Sequence, residues 1–181
     1  MSKAIDDLKN EHEAILFTLK ILGKMTDLAS KGKAFDAKDA TALIGFLKEF
    51  ADKCHHGKEE GILFPALEAA GIANEGGPIG VMLSEHERGR AFIGEMDAAL
   101  RKTPFDAAAF VNAANSYSQL LGQHIEKENT VLFVMGERVL SEETLASLYE
   151  RFEEHEETVI GAGRHEQLHA MLDDFEEKYL K

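Results

Sequence analysis

The sequence has little of what marks a secreted or membrane protein: one cysteine, three prolines, no tryptophan and no long apolar run. The single cysteine, Cys54, excludes an internal disulfide and fits a reducing, cytoplasmic setting. Residues 1–7 lack the apolar core of a signal peptide, and no stretch approaches the roughly 20 apolar residues that a membrane span needs. We therefore expect a cytoplasmic protein without a membrane-spanning segment.

Basic residues are also scarce: 20 Lys and Arg stand against 33 Asp and Glu, for a net charge of −13. This balance argues against nucleic acid and anionic membrane as partners. The chain of 181 residues, 44% of them hydrophobic, is long enough to bury a proper core as one domain.

Helical periodicity and the shortage of proline predict an all-α protein. Residues 1–140 are expected to form an up-down-up-down four-helix bundle, and residues 141–181 an additional C-terminal helical region packed on it within the same domain. The predicted helices start at Ser2, Asp36, Pro78, Asp106 and Ser141, and the last of these regions is interrupted at Gly161-Ala162-Gly163.

A ten-residue motif occurs twice, at residues 55–64 and 124–133. The copies share His, Lys, Glu, Leu and Phe at equivalent places. Within each, a histidine precedes a glutamate by four residues, a spacing that stacks imidazole and carboxylate on one helix face.

Each predicted bundle helix carries one histidine on its apolar stripe. Counted from the loops, at roughly 1.5 Å per residue, these histidines and the two motif glutamates reach the same height when the helices pack antiparallel. The predicted layer consists of His12, His55, Glu59, His86, His124 and Glu128.

Two carboxylates and four imidazoles in one apolar layer would each cost several kcal/mol if unpaired. Bound metal ions remove that cost. The nitrogen and oxygen ligand set, without thiolate, suits iron or manganese better than structural zinc. Two carboxylates can bridge two metals, with two histidines on each and an open position for a small molecule. A single His-x-x-x-Glu pair is usually a surface feature, so the metal interpretation depends on the duplication.

The first copy contains a second pair, His56 and Glu60, rotated by about 100° around the helix. The second copy has Ile125 and Asn129 at these places. We therefore interpret His56 and Glu60 as residues that support the ligands or lie on the surface, with an extra ligand as the alternative for His56, and expect His56→Ala to retain metal. Cys54 is expected to be a plain buried thiol, with redox sensing as the alternative.

Taken together, the motifs resemble those of the hemerythrin-like, or HHE cation-binding, family over roughly residues 5–140. The resemblance rests on Asn10-Glu11-His12-Glu13, on Ser84-Glu85-His86-Glu87 and on the two motif copies. It implies a four-helix bundle with two iron ions and a bridging oxo or hydroxo group. By the same resemblance, the four histidines are terminal ligands, and Glu59 and Glu128 are bridges.

The invertebrate oxygen carriers of this family have a fifth histidine, four residues after the one on the third helix, where this chain has Arg90. They also use an aspartate as one bridge. The chain is thus more similar to the four-His, two-Glu branch, which includes bacterial proteins linked to nitric oxide stress. Tyr117 or His165 could replace the missing ligand, although Tyr117 is more simply a core residue with its hydroxyl bonded and His165 a surface or interhelix residue.

Three functions follow as expectations. The first is a di-iron protein that binds or processes O₂, NO or peroxide at an open position, with no separate catalytic residue in view and an electron donor that the sequence does not name. The second is an iron or oxygen sensor or store that acts on the C-terminal helices, with Gly161 and Gly163 as the hinge. The third is a structural bundle with zinc or no metal.

Overall fold

The computed structural model describes residues 2–33, 35–161 and 163–181, and every regular element within them is helical. The prediction of an all-α bundle is confirmed. The described chain forms six helices: α1 (Lys3–Ser30), α2 (37–69), α3 (Pro78–Arg101), α4 (107–139), α5 (Glu142–Val159) and α6 (Arg164–Tyr179).

Side-chain caps set four of the helix starts where the sequence predicts them. A side-chain oxygen of Ser2, Asp36, Asp106 or Ser141 accepts a backbone N–H from two or three residues further on. The predicted break before α6 is bounded by Gly161 and Gly163, both with positive φ angles, whereas Ala162 lies outside the described residues.

Helices α2 and α4 contain wide turns of π type. They span Leu47–His56 and Glu59–Leu63 in α2, and Glu128–Leu132 in α4. The N–H of Phe64 bonds to the carbonyl of Glu59, and Phe133 bonds in the same way to Glu128, each five residues back. Val134 stands in the second copy where Pro65 stands in the first, so the shared wide turn belongs to the motif and not to the proline.

The first four helices run antiparallel to their neighbours along the chain. Lys48 and Glu60 of α2 contact Asp97 and His86 of α3, respectively, so residue numbers rise along one helix as they fall along the other. The bundle buries two apolar clusters. One contains Ile15, Ile44, Ile93 and Phe110, and the other contains Leu8, Ile62, Ile79 and Phe133. The predicted histidine layer lies between them on all four helices.

The C-terminal helices cover both clusters. Helix α5 adds Leu145, Leu148 and Phe152 to the second cluster, and α6 adds Leu168, Leu172 and Phe175 to the first. None of the helices in the described part of the chain is both long enough and apolar enough to span a membrane.

Candidate metal centre

The structure brings all six predicted residues together, and it adds His56. Their ligand atoms form two groups in which all atoms lie within 4.8 Å of one another, and Glu59 belongs to both. None of the seven residues is more than 4% exposed. The groups are His12, His55, Glu59 and Glu128, and His56, Glu59, His86 and His124.

Each carboxylate lies between the two helix pairs. Glu59 places one oxygen 3.5 Å from His55 Nε2 and the other 3.3 Å from His86 Nε2. Glu128 Oε2 lies 3.2 Å from both His12 Nε2 and His124 Nε2. Each glutamate therefore contacts one histidine from the α1/α2 pair and one from the α3/α4 pair, which is the position that a bridging carboxylate needs.

All five histidines turn the same ring nitrogen outward, toward an oxygen acceptor. Nδ1 donates to that oxygen, so Nε2 of the neutral ring presents its lone pair to the interior of the layer. The pairs are His12 with Asn129 at 2.9 Å, His55 with Glu11 at 2.8 Å, His56 with Asp52 at 3.3 Å, His86 with Glu60 at 2.7 Å and His124 with Glu85 at 3.0 Å.

The inward atoms have no hydrogen-bond partners that would explain their burial. Nε2 of His12, His55 and His56, and all four carboxylate oxygens of Glu59 and Glu128, are buried without one. The Nε2 atoms of His86 and His124 face each other at 3.1 Å, although both rings already donate through Nδ1. Buried unsatisfied polar groups cost about 1–3 kcal/mol each, and more when charged. Cations between these lone pairs and carboxylates would satisfy them together, so the residues present fit a metal centre.

The electrostatics of the layer support the same conclusion. Burial lowers the pKa of His124, but the charge and contact of Glu128, the contact with Glu85 and the charge of Glu59 together outweigh it and raise this pKa to about 10. Burial raises the pKa of Glu128, yet the charge of His124 and its contact with His12 hold it well below the ordinary value. Without metal, protons on imidazoles supply the positive charge between the carboxylates. This positive charge lies at the positions that metal ions would occupy.

His56 behaves differently from the other four histidines. Its burial, and then the charges of His86 and His55, outweigh the contact with Asp52 and hold its pKa well below the ordinary value. Its ring stacks on that of His86 at 3.8 Å. His56 therefore stays neutral and offers its lone pair. The expectation of a surface position for His56 was wrong.

The lysine shared by the two motif copies has a structural role that the sequence analysis missed. Lys58 bonds the Glu11 carboxylate that holds His55, at 2.8 Å. Lys127 likewise bonds the carboxylate of Glu85, which holds His124. The signal was present in the sequence, because a glutamate precedes both His12 and His86.

Glu60 also has a counterpart, contrary to the sequence interpretation. Glu60 and Asn129 each follow the motif histidine by five residues, and they hold His86 and His12, respectively. The copies therefore differ in the inward-facing layer at one place, where the first has His56 and the second has Ile125.

Arg90, which stands where the oxygen carriers have their fifth histidine, anchors two of the outer carboxylates. Its guanidinium bonds Asp52 at 2.8 Å and Glu60 at 2.7 Å. Asp52 is the acceptor of His56 and Glu60 that of His86, so Arg90 holds both histidines indirectly.

The other proposed extra ligands lie outside the two groups. Tyr117 is a core residue, 1% exposed, and its hydroxyl has no hydrogen-bond partner among the described protein groups. His165 lies between α5 and α6, where it bonds Glu156. Cys54 is fully buried, and burial raises the pKa of its thiol to about 12, as suits an unreactive core thiol.

A helical bundle whose buried layer presents imidazole nitrogens and carboxylates inward defines a cation-binding protein. The family model described as hemerythrin HHE cation binding domain matches residues 3–135. The chain belongs to that family. Comparison with curated proteins and with solved structures gave no match.

Proposed function

We propose that the layer binds two iron ions. His12 and His55 would hold one ion, and His86, His124 and His56 would hold the other, with Glu59 and Glu128 placed between the two positions. The observation that carries this proposal is the set of buried, unpartnered Nε2 and carboxylate atoms. Imidazole with carboxylate and no thiolate favours iron or manganese, and the family resemblance favours iron, with an oxo or hydroxo bridge.

The two positions would differ in the kind of ligand that they offer. Each group contains four side chains and both share Glu59, but one adds two imidazoles and Glu128, whereas the other adds three imidazoles. Four protein ligands do not fill an octahedral iron ion, so a position would stay open for a small molecule. Bound iron would supply the redox chemistry. The protein residues hold the lone pairs inward through their Nδ1 contacts and exclude water by burial.

The function that this site supports best is binding or processing of O₂, NO or peroxide, in a response to oxidative or nitrosative stress. To test it, the metal-free protein is loaded anaerobically with Fe(II) and mixed in a stopped-flow instrument with each of the three molecules. We expect at least one to change the visible spectrum. The same mixing with Glu128→Ala is the control. An unchanged spectrum with all three would contradict the proposal.

A second candidate, an iron or oxygen sensor or store, is favoured by a chain of contacts from the centre to α5. Glu11 bonds both His55 and Lys58, and Lys58 Nζ bonds Glu156 of α5 at 3.0 Å. Metal binding at His55 could thus change how α5 and α6 pack. Proteolysis within residues 141–181 should be slower with iron than without, and equal rates would exclude this candidate.

A further inference from the structure

Helix α6 carries a pair of histidines outside the region matched by the family. His165 and His169 are four residues apart in His165-Glu166-Gln167-Leu168-His169. On a helix, this spacing places two imidazoles on one face, as in known two-histidine metal sites. Leu168 is buried in the first apolar cluster, which fixes how α6 sits on the bundle.

The two rings already face each other. They stack with centroids 4.6 Å apart and 12° between their planes, and their Nε2 atoms are 2.7 Å apart. His165 donates through Nδ1 to Glu156 Oε1 at 2.5 Å, so its Nε2 presents a lone pair toward His169. The core pair His86 and His124 also has facing Nε2 atoms, and each of its rings has a carboxylate behind Nδ1, as His165 has.

The surroundings hold this geometry in place. Glu156 is fixed by its other oxygen, which accepts a bond from the buried Lys58 at 3.0 Å. The ring of Phe50 packs edge-on against His165 at 5.6 Å and against His169 at 6.1 Å. A carboxylate that orients a histidine from behind is the usual support of a metal-ligating imidazole.

The local charge also favours a cation. A cleft of about 270 Å³ beside His165 is lined by the carboxylates Glu153, Glu156, Glu157 and Glu166. The chain as a whole carries a net charge of −13. A divalent ion would therefore be attracted to this end of α6.

We propose that His165 and His169 form a second metal site, which binds one divalent transition-metal ion of the class that prefers imidazole, such as Zn²⁺ or Ni²⁺. In the part of the chain that the structure describes, no third protein ligand completes a group of three here. Water would fill the coordination positions that the two imidazoles leave. The site therefore has fewer protein ligands than the three of a catalytic zinc centre.

The test compares Zn²⁺ uptake by the wild-type chain and by His169→Ala, each with its core first loaded with metal. Equilibrium dialysis followed by metal analysis should find one more Zn²⁺ per chain in the wild type. His169 is exposed, so the variant should fold, and an unchanged melting temperature checks this. Equal uptake by the two chains would overturn the proposal and leave the pair as a simple imidazole hydrogen bond.

His155→Ala is the matched control. This histidine lies on α5 and contacts the carbonyl of Lys53 instead of another imidazole, so its removal should leave uptake at the wild-type level. Repeating the comparison in a Glu128→Ala background separates the two sites. The difference of one Zn²⁺ should persist there even if the core does not hold iron, and its disappearance would overturn an independent site.

Discussion

The two copies of the repeated motif, residues 55–64 on α2 and residues 124–133 on α4, hold their histidines in the same way but have different surroundings. In both, a glutamate from the neighbouring helix accepts from the motif histidine, and the motif lysine bonds that glutamate. Lys58, however, is fully buried, whereas the side chain of Lys127 is 40% exposed.

The difference arises at α5, which reaches the lysine of the first copy. Its Glu156 bonds Lys58, which also bonds Asp7 and Glu11. The second copy has Ile125 at the place where the first copy has His56. The half of the centre that contains His55 is therefore connected to α5 through Glu11 and Lys58. The other half, with His86 and His124, takes its third imidazole, His56, from the first copy. The two copies thus combine the same histidine supports with different surroundings.

The largest effect should come from removing either bridging carboxylate. Because Glu59 and Glu128 each contact histidines of both halves, we expect Glu59→Ala and Glu128→Ala each to lose both ions, as measured by metal content per chain. Glu126→Ala, at an exposed position of α4, should keep them. Retention of one ion in either bridge variant would show that the halves bind metal independently.

Next in size is the contrast between the two lysines. Lys58→Met leaves the carboxylates of Asp7, Glu11 and Glu156 without their shared cation, and we expect it to lower the free energy of unfolding by about 3–5 kcal/mol. Lys127→Met, at the partly exposed pair, should cost about 0–1 kcal/mol. Urea unfolding measures both. Similar values for the two variants would contradict the proposed role of α5.

A smaller effect should follow from replacing His56 with isoleucine, the residue that the second copy has at the equivalent place. His56→Ile removes a buried nitrogen from the group with His86 and His124. We expect the affinity for one of the two ions to fall by about tenfold or more, the scale on which even supporting contacts act. Competition with a chelator measures this affinity. Unchanged affinity would contradict this role and would agree with the sequence-based expectation that His56→Ala retains metal.

The smallest effect concerns pH in the metal-free protein. The raised pKa of His124, about 10, contributes stability that is fully present below the ordinary value of 6.5 and is lost as pH rises toward 10. The lowered pKa of Glu128 contributes stability present above 4.5 and lost in acid. The melting temperature should therefore fall from pH 6.5 to pH 10 without metal. Metal should remove much of this fall, and an equal fall in both forms would contradict the account.

The sequence predicted the helices and the common height of the ligands well. Caps such as Ser2 and Asp36 are local signals, and the heights depend only on loop positions and the helical rise. His12, His55, His86 and His124 could therefore be placed in one layer before any contact was known.

The place of His56 could not be predicted in this way. A regular helix rotates His56 by about 100° from His55, but the segment Leu47–His56 is a π-helix. More residues per turn mean less rotation per residue, so both neighbours can face the interior. The burial of Lys58 was equally hidden, because it depends on contacts with α5 that are remote in sequence.

The most direct test of iron binding by this layer is the metal content of the protein purified from its own host. We expect iron as the main metal, at two ions per chain. Stoichiometric zinc, or no bound metal, would contradict it and would favour a structural bundle.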